Sequence, residues 1–390
     1  MRVVQNSNNI IRVLKSIWLK PGISRIEVSK QLGLDKSTVT IVVNRLMELG
    51  FIEEIQSSLT PYTGGRRPIG LSLKEQVGVI LGIEIQTNSY HGVILDLNGS
   101  IISNFTGEIL GVRDVVSTFL DIYREAYRKV EALGLPLLGV GVAFSGLIDP
   151  HRGFIIESNP LGVHTGLDFY REIKPFIPVP VFIENDANCG CWAELNINNR
   201  DRSRNFLFVL GEFRKARIFE DDSRVLALGM GVVLGERVLY GKDFAAGEYK
   251  SPGWKAPNKT QFSISDEQLA SLDDDRQIVE SVRTELTRDI AYLANILNLS
   301  RVTFGGDIVN YFDLLEDSLK QEIRTNTSYE KYSDVEITMS GNREYTVSYG
   351  AACMLIENLF LTYENSFENP WKQKVGIDLF NSFSETIQQS

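Results

Sequence analysis

Two groups of residues in this sequence have types and spacing suited to chemistry. In Gly64-Gly65-Arg66-Arg67-Pro68 two guanidinium groups sit side by side on a glycine-flanked, extended backbone. Such a pair can enter a narrow A·T-rich minor groove, where the negative potential of DNA is strongest. Farther along, Glu184-Asn185-Asp186-Ala187-Asn188 and the separate Glu248 supply carboxylates and amides, each able to bind a vicinal diol. Buried polar groups of this kind discriminate against ligands that lack the hydroxyl. The same residues admit plainer roles. Asp186 and Asn188 open a helical segment, where they also suit capping and the helix dipole, and Glu248 follows a glycine in a loop and suits plain surface charge. Cys189 and Cys191 point to different faces of one helix, which favours packing over metal ligation. His91, His151 and His164 are separated and have no ligand-like spacing.

The arginine pair requires a head that presents it. Ile10, Ile11, Val13, Leu14 and Ile17 recur at helical spacing until Lys20-Pro21-Gly22 stops the pattern. Ser24 and Glu27 form a capping-box pattern that opens a second, short helix ending at Gly33. Asp35 is the expected cap of a third helix through Leu49, with Val39, Val42, Val43, Leu46 and Leu49 turned inward. Lys36, Ser37, Thr38, Thr40, Asn44 and Arg45 are left outside. Two short helices joined at Gly33-Leu34 fit a helix-turn-helix whose second helix offers its first turns to the major groove; a plain three-helix bundle shares the apolar pattern. Runs at 51–55 and 69–73 can pair around Ser57–Pro68 as a hairpin wing, with the arginines at its tip. Residues 1–75 carry 11 Lys and Arg against 6 Asp and Glu, whereas the remainder carries 29 against 44. A basic head on an acidic body directs a polyanionic partner to the head alone.

The carboxylate cluster belongs to a different kind of domain. From Val77 three short β-type runs follow one another, with Asn98-Gly99 as a hairpin turn. A helical stretch over 112–133, a buried-strand run over 137–146 and a further strand over 178–186 come next, the last leading into a helix. A second set follows, with FLFVL, VLALGMGVVLG, a helix from about 275 to 297, RVTFGGD, another helix and VEITM. The pattern is α/β, with a mixed sheet of the actin, hexokinase and sugar-kinase type in which the ligand sits between lobes. A hinge biased by what fills that cleft is expected near 190–205, giving a head over 1–75 and a two-lobed domain over 76–390. No run approaches the length of a membrane-spanning helix, the first residues lack a cleavable apolar signal, and three cysteines are too few for a disulfide framework. A cytoplasmic protein is expected.

The run ISRIEVSKQLGLDKSTVTIVVNRLMELGFIEE followed by GGRRP resembles the winged head of the ROK family (repressors, open reading frames, kinases), and the likeness covers essentially the whole chain. GVGVAFSGLIDPHRGFIIESNPLG resembles a family segment with Ser145-Gly146 where Pro-Gly is usual, and VFIENDANCGCWAE resembles the Glu-Asn-Asp-Ala-Asn motif. The resemblance implies that Asn185 hydrogen-bonds sugar hydroxyls and that Asp186 is the sugar-contacting carboxylate that serves as general base in the kinases. It places Glu248 of AAGE on further hydroxyls, with Asn159 and Ser251 completing the expected ligand set.

The chain also departs from the kinases it resembles. The family's Asp-x-Gly-Gly-Thr phosphate loop corresponds to Glu84-Ile85-Gln86-Thr87-Asn88, where the flexible glycines are lost, and a Cβ at those sites obstructs close approach of a nucleotide. Leu228-Gly229-Met230-Gly231-Val232 stands at the second phosphate loop without the family's threonine, and Gly305-Gly306 resembles the adenosine-contacting pair. Glu248-Tyr249-Lys250-Ser251 and the segment after it carry none of the zinc ligands many members have, so Lys250, Ser251 or Gln261 must take over the sugar contacts made there. The resemblance implies a sugar- or polyol-responsive transcriptional regulator of carbohydrate catabolism, a repressor rather than an enzyme, with no metal and no cofactor. Its expected partners are operator DNA, a sugar or polyol effector and a second copy of itself, as a homodimer or larger oligomer. The alternatives are a ROK-type sugar kinase with an appended DNA-binding head and a non-regulatory interaction protein whose winged domain binds protein, the latter opposed by the basic head and Arg66-Arg67.

Overall fold

The computed structural model describes residues 2–56, 69–110, 114–197, 205–215, 224–328, 334–360 and 372–389. They belong to two compact units, one of Met1–Phe144, Asp149–Ile183 and Ala351–Ser390, the other of Ser145–Ile148 and Glu184–Gly350.

In the first unit, α1 (Arg2–Leu19), α2 (Arg25–Leu32) and α3 (Lys36–Glu48) build the head. The capping box forms as its spacing predicts: Ser24 accepts from the Glu27 amide while Glu27 accepts from the Ser24 amide, and Gly33 closes α2 at φ 64°. Those contacts and the neighbouring Lys20 hold the Glu27 carboxyl down to about 2. Asp35 stands at the start of α3 but makes no side-chain cap bond, so this helix is held by burial of Val39, Val42, Val43 and Leu46 instead. β1 (Ile52–Gln56) pairs antiparallel with β2 (Ile69–Leu73), from Ile52↔Leu73 to Gln56↔Ile69. A contact absent from the sequence reading joins them: Ile23 forms an isolated antiparallel bridge to Leu71, and the Gly22 amide donates to the Leu71 carbonyl. A side chain at Gly70 would meet the Gly22 carbonyl oxygen at 2.8 Å, so the close approach requires glycine. The wing tip, with Arg66 and Arg67, lies outside the described residues.

β3 (Val79–Ile85), β4 (Ser89–Asp96) and β5 (Ile101–Glu108) form the expected meander. Asp96 Oδ1 accepts from the amides of Asn98 and Ser100 to fix its second turn. Helix α4 (Val115–Leu133) is capped by Asp114 and closed by Gly134. β6 (Leu137–Phe144) lies parallel to β3, and the sheet order is β5-β4-β3-β6 with the later β9 (Val181–Asn185) beyond β6. Between them come β7 (Leu147–Asp149), β8 (Phe154–Glu157) and α5 (Phe169–Ile173).

The second unit opens with α6 (Asp186–Ile197). Its sheet runs in the order β12-β11-β10-β13-β14, from β10 (Asn205–Lys215), β11 (Arg224–Leu234), β12 (Arg237–Val238), β13 (Arg301–Gly306) and β14 (Glu336–Met339). Between β12 and β14 lie α7 (Asp266–Ala270), α8 (Asp275–Ile296) and α9 (Phe312–Thr325). Leu286, Ile290, Leu315 and Leu319 from α8 and α9 meet Val209, Val302 and Phe304 from the strands in one core. Then α10 (Thr346–Leu359) returns the chain to the first unit, where α11 (Lys372–Gln389) ends the described residues.

The chain passes between units at 144/145, 148/149, 183/184 and 350/351, whereas the sequence suggested a hinge near 190–205. Residues 186–197 of that stretch are one continuous helix, and 198–204 lie outside the described residues. The head over 1–75 shares a unit with the meander. Trp18 stacks on Phe360 at 4.5 Å between ring centroids, and Phe51 of the head stacks on Phe380 of α11 at 5.0 Å. Stacked pairs of this kind add about 0.5–1.5 kcal/mol each beyond the area they bury.

Candidate functional site

Asp186 heads α6 at the end of β9 and is buried. Its Oδ1 accepts from the Ala187 amide at 2.8 Å and its Oδ2 from the Ser145 hydroxyl at 2.7 Å. Arg214, projecting from β10, brings Nη2 to 3.6 Å from Asp186 Oδ2, donates to Ser145 Oγ at 2.8 Å and pairs with Glu212 at 2.6 Å. Burial pushes the Asp186 carboxyl up; Arg214 opposes that shift and Glu212 adds to it. Glu248 reaches β11 through a bridge between Gly229 and Glu248, and its carboxyl is raised by desolvation and by the charge of Asp186. Asp186 and Glu212 thus flank one guanidinium, and Glu248 feels the charge of Asp186; carboxylates of this kind are suited to accepting hydrogen bonds from hydroxyls.

The remaining expected ligand residues are arranged differently. Asn185 Nδ2 donates to the Gly146 carbonyl and its Oδ1 accepts from the Asn188 amide, so it ties the start of α6 to the 145–148 segment. Asn159 stands in the first unit, within a turn closed by the bridge between Ser158 and Val163. Ser251 is buried, and its hydroxyl accepts from the Gly253 amide. Gln261 uses its amide to clamp backbone, accepting from Leu228 N and donating to the carbonyls of Leu228 and Tyr249. Lys250 places its ammonium 3.9 Å from the Trp254 ring centroid. Ser251 and Lys250 thus have partners within their own segment, whereas Gln261 ties that segment to Leu228 of β11.

Sequence reasoning missed Ser145, Glu212 and Arg214 as neighbours of Asp186, and missed Glu184 as the anchor beneath it. Glu184 is fully buried and accepts from the Tyr240 hydroxyl at 2.7 Å, the Asn185 amide at 2.9 Å, Asn188 Nδ2 at 3.2 Å and Trp192 Nε1 at 3.4 Å. Burial raises its carboxyl, with these donors acting in opposition. The glutamate of the motif therefore organises the helix start.

The two segments that stand at the family's phosphate loops have side-chain and strand partners of their own. Glu84 is buried in β3, where its Oε1 accepts from Gln86 Nε2, and Gln86 Oε1 accepts from Ser89, so the turn is closed by its own side chains. Leu228–Val232, which the resemblance set at the second phosphate loop and which lies in the run VLALGMGVVLG, is the middle of β11, whose pairing with β10 is unbroken from Asn205↔Leu234 to Lys215↔Arg224. The Leu228 amide donates to Gln261 Oε1 and the Met230 amide to the Gly247 carbonyl. Strand alternation turns the intervening Gly229 and Gly231 amides toward β10. Gly305 and Gly306 also have a packing role: a Cβ at Gly306 would lie 2.6 Å from the Gly211 carbonyl oxygen, and one at Gly305 would overlap the Phe208 ring. Phosphoryl transfer depends on backbone donors aimed at phosphate oxygens, and the amides of Leu228 and Met230 are already engaged. Sugar-dependent ATP turnover in a coupled assay is accordingly expected to stay below about 1 per second, the low end for kinases; a higher rate would contradict this reading.

In the head, Lys36, Ser37, Thr40, Asn44 and Arg45 are exposed along α3, and Thr38 is half-buried. Thr40 Oγ1 donates to the Lys36 carbonyl, Arg25 donates to Asn44 Oδ1 at 3.3 Å while pairing with Glu54, and Arg45 lies 3.4 Å from Glu48. Those exposed pairs are weak and can be exchanged for other partners.

Comparison with known proteins matches two stretches of the chain to family models. Residues 81–211 match the model of the ROK family, and residues 7–53 match that of winged helix-turn-helix DNA-binding domains. A ROK-family domain thus stands at 81–211, behind a winged helix-turn-helix head at 7–53. Among curated relatives, this chain is 27% identical to the xylose repressor of Bacillus subtilis (strain 168) over 60% of its own length and 58% of that protein. It thus spans little more than half the length of that relative. It is 25% identical to the xylose repressor of Lactiplantibacillus pentosus over 94% of its length and 97% of that protein. A solved ROK family transcriptional regulator, described as a homolog of the E. coli MLC protein, superposes with a TM-score of 0.75 at 19% identity. That match covers 98% of this chain and 100% of the other, and establishes the ROK fold with its head. No helix among the described residues is long and apolar enough to cross a membrane.

Proposed function

We propose that this chain is a DNA-binding transcriptional repressor whose ROK domain senses a sugar or polyol and which has no kinase activity. The observation that carries this reading is the joint state of the second unit. Asp186 and Glu248 place two interacting carboxylates together, while the neighbouring amides are taken up by Gln261, by Gly247 and by the β10–β11 ladder. A site that holds a polyol without engaging a phosphate suits recognition. The effector is bound by Asp186, Asn185 and Glu248, with Ser251 as a further candidate. The relatives named xylose repressor make a pentose the first compound to test. Operator DNA is held by the exposed residues of α3 and by Arg66 and Arg67 of the wing, in a protein that reads paired half-sites as a dimer.

A thermal-shift panel of pentoses, hexoses, disaccharides and polyols tests the sensing half of this proposal. A ligand present at 100 times its dissociation constant adds about 2.7 kcal/mol of stability. No shift with any member, each at millimolar concentration, would contradict a sugar-sensing role. The DNA half is tested by Arg66→Ala with Arg67→Ala. Loss of both groove contacts should weaken operator binding by about 1–3 kcal/mol or more, and unchanged affinity across a salt titration would remove the wing from the interface.

A further inference from the structure

Recognition helix α3 exposes a residue whose chemistry differs from that of its neighbours. Ile41 is 70% exposed, more than Ile26 at 53% or Met47 at 37% in the same head. At about 100° per residue, Ser37, Ile41, Asn44 and Glu48 share one face of the helix. The opposite face carries Val39, Val42, Val43 and Leu46, all buried. Ile41 therefore sits near the middle of the outward surface, one turn after Ser37 and one before Asn44 and Arg45. The polar side chains around it already have partners inside the head: Thr40 with the Lys36 carbonyl, Asn44 with Arg25, Arg45 with Glu48. An apolar branched side chain in that position loses by its exposure to water and contributes nothing to the core.

The major groove of DNA carries one apolar feature, the C5-methyl group of thymine, and it is contacted by apolar side chains of recognition helices. The head has a basic excess and exposes Lys36 and Ser37 at the start of the same helix, which favours a polyanionic duplex over another protein as the surface that covers Ile41. We infer that Ile41 is a base-reading residue that packs against a thymine methyl in each half-site of the operator. This assignment rests on the reading of the head as a DNA-binding domain. It makes part of the sequence preference apolar, so it persists at salt concentrations that weaken the phosphate contacts.

The test starts from a random-sequence duplex library selected with the full-length chain, followed by affinity measurements on the selected duplex. Thymine is expected at one position per half-site, and Ile41→Ala is expected to lose that preference while keeping the others. Replacing that thymine by deoxyuridine removes only the methyl group. It should weaken binding by the wild-type chain about three- to fivefold per half-site and binding by Ile41→Ala by less than about 1.5-fold. Because Ile41 is outside the core, the variant should keep the wild-type thermal midpoint, which separates a lost contact from a damaged head. Selection of a specific duplex whose thymines all tolerate deoxyuridine would overturn the assignment and leave DNA binding standing. So would an Ile41→Ala effect spread evenly over all positions, or one confined to the oligomeric state. Failure to select any duplex would overturn the DNA-binding reading together with it.

Discussion

Replacing Glu194 by alanine is expected to destabilise the protein by about 3–5 kcal/mol, the scale for breaking a buried ion pair from one side. Glu194 lies on α6, two turns beyond Asp186, and pairs with Arg301 at 3.4 Å with both side chains under one-tenth exposed. Its other oxygen accepts from the Ser340 hydroxyl at 3.0 Å, and the Arg301 guanidinium lies 4.9 Å from the centre of the Phe206 ring. Removing the carboxylate leaves a guanidinium buried against an aromatic ring without a counter-charge. The same helix is held by Tyr349, whose hydroxyl donates to Asn196 at 3.0 Å. The ion pair therefore fixes the C-terminal half of the helix whose first residue is Asp186. Urea unfolding of the full-length chain measures the loss. Glu194→Met combined with Arg301→Met should recover most of it, because the desolvation of both charges disappears together. A single-variant loss below about 1 kcal/mol, or a double variant no better than Glu194→Ala, would show that the pair does not hold α6.

Asp186→Asn is expected to leave operator affinity near normal and to raise the effector midpoint by about 5- to 150-fold, equivalent to 1–3 kcal/mol. The two carboxylate oxygens accept from Ala187 N and Ser145 Oγ, and Arg214 stands beside the second. An asparagine supplies one acceptor and one NH2 group. That group must face either the Ala187 amide or the Ser145 hydroxyl to which Arg214 already donates. The variant therefore loses an acceptor for ligand hydroxyls as well as the negative charge, and Arg214 is left with Glu212 as its remaining carboxylate in this cluster. An unchanged effector midpoint would place the sensing site elsewhere.

Much of the head was legible because its signals are local. The Ser24 and Glu27 capping box and the left-handed Gly33 follow from three or four neighbouring residues, and the structure forms both. Asp35 shows the limit of local reading: the residue type suits a cap, yet no cap bond forms and packing holds the helix. The meander and the helix opening at Asp186 were legible for the same reason, through period-two runs and the turn at Asn98-Gly99. What the sequence hid depends on distant segments. The resemblance gave Gly229 and Gly231 the role of a phosphate loop, although they lie in the run VLALGMGVVLG. They lie in a strand crossed closely by α6, where a Cβ at Gly231 would come within 2.7 Å of the Ala187 carbonyl oxygen. Gly305 and Gly306 likewise answer to the Phe208 ring and the Gly211 backbone. Ser145 and Arg214 meet Asp186 across 41 and 28 positions of chain, a separation for which no periodicity gives a signal.

The central claim is that one ligand-binding event at Asp186 sets the affinity of the head for DNA. It is tested most directly by titrating the full-length chain onto its selected duplex, followed by fluorescence anisotropy, without and with each member of the sugar and polyol panel, D-xylose first. The account predicts that at least one compound shifts the DNA midpoint by about 5- to 150-fold in the wild-type chain, and that the duplex shifts the affinity for that compound by the same factor. It predicts further that Asp186→Asn binds the duplex as the wild type does and shows no such shift at the same concentration. A compound that binds the wild-type chain while leaving its DNA midpoint unmoved, or one that moves the midpoint of Asp186→Asn equally, would contradict it.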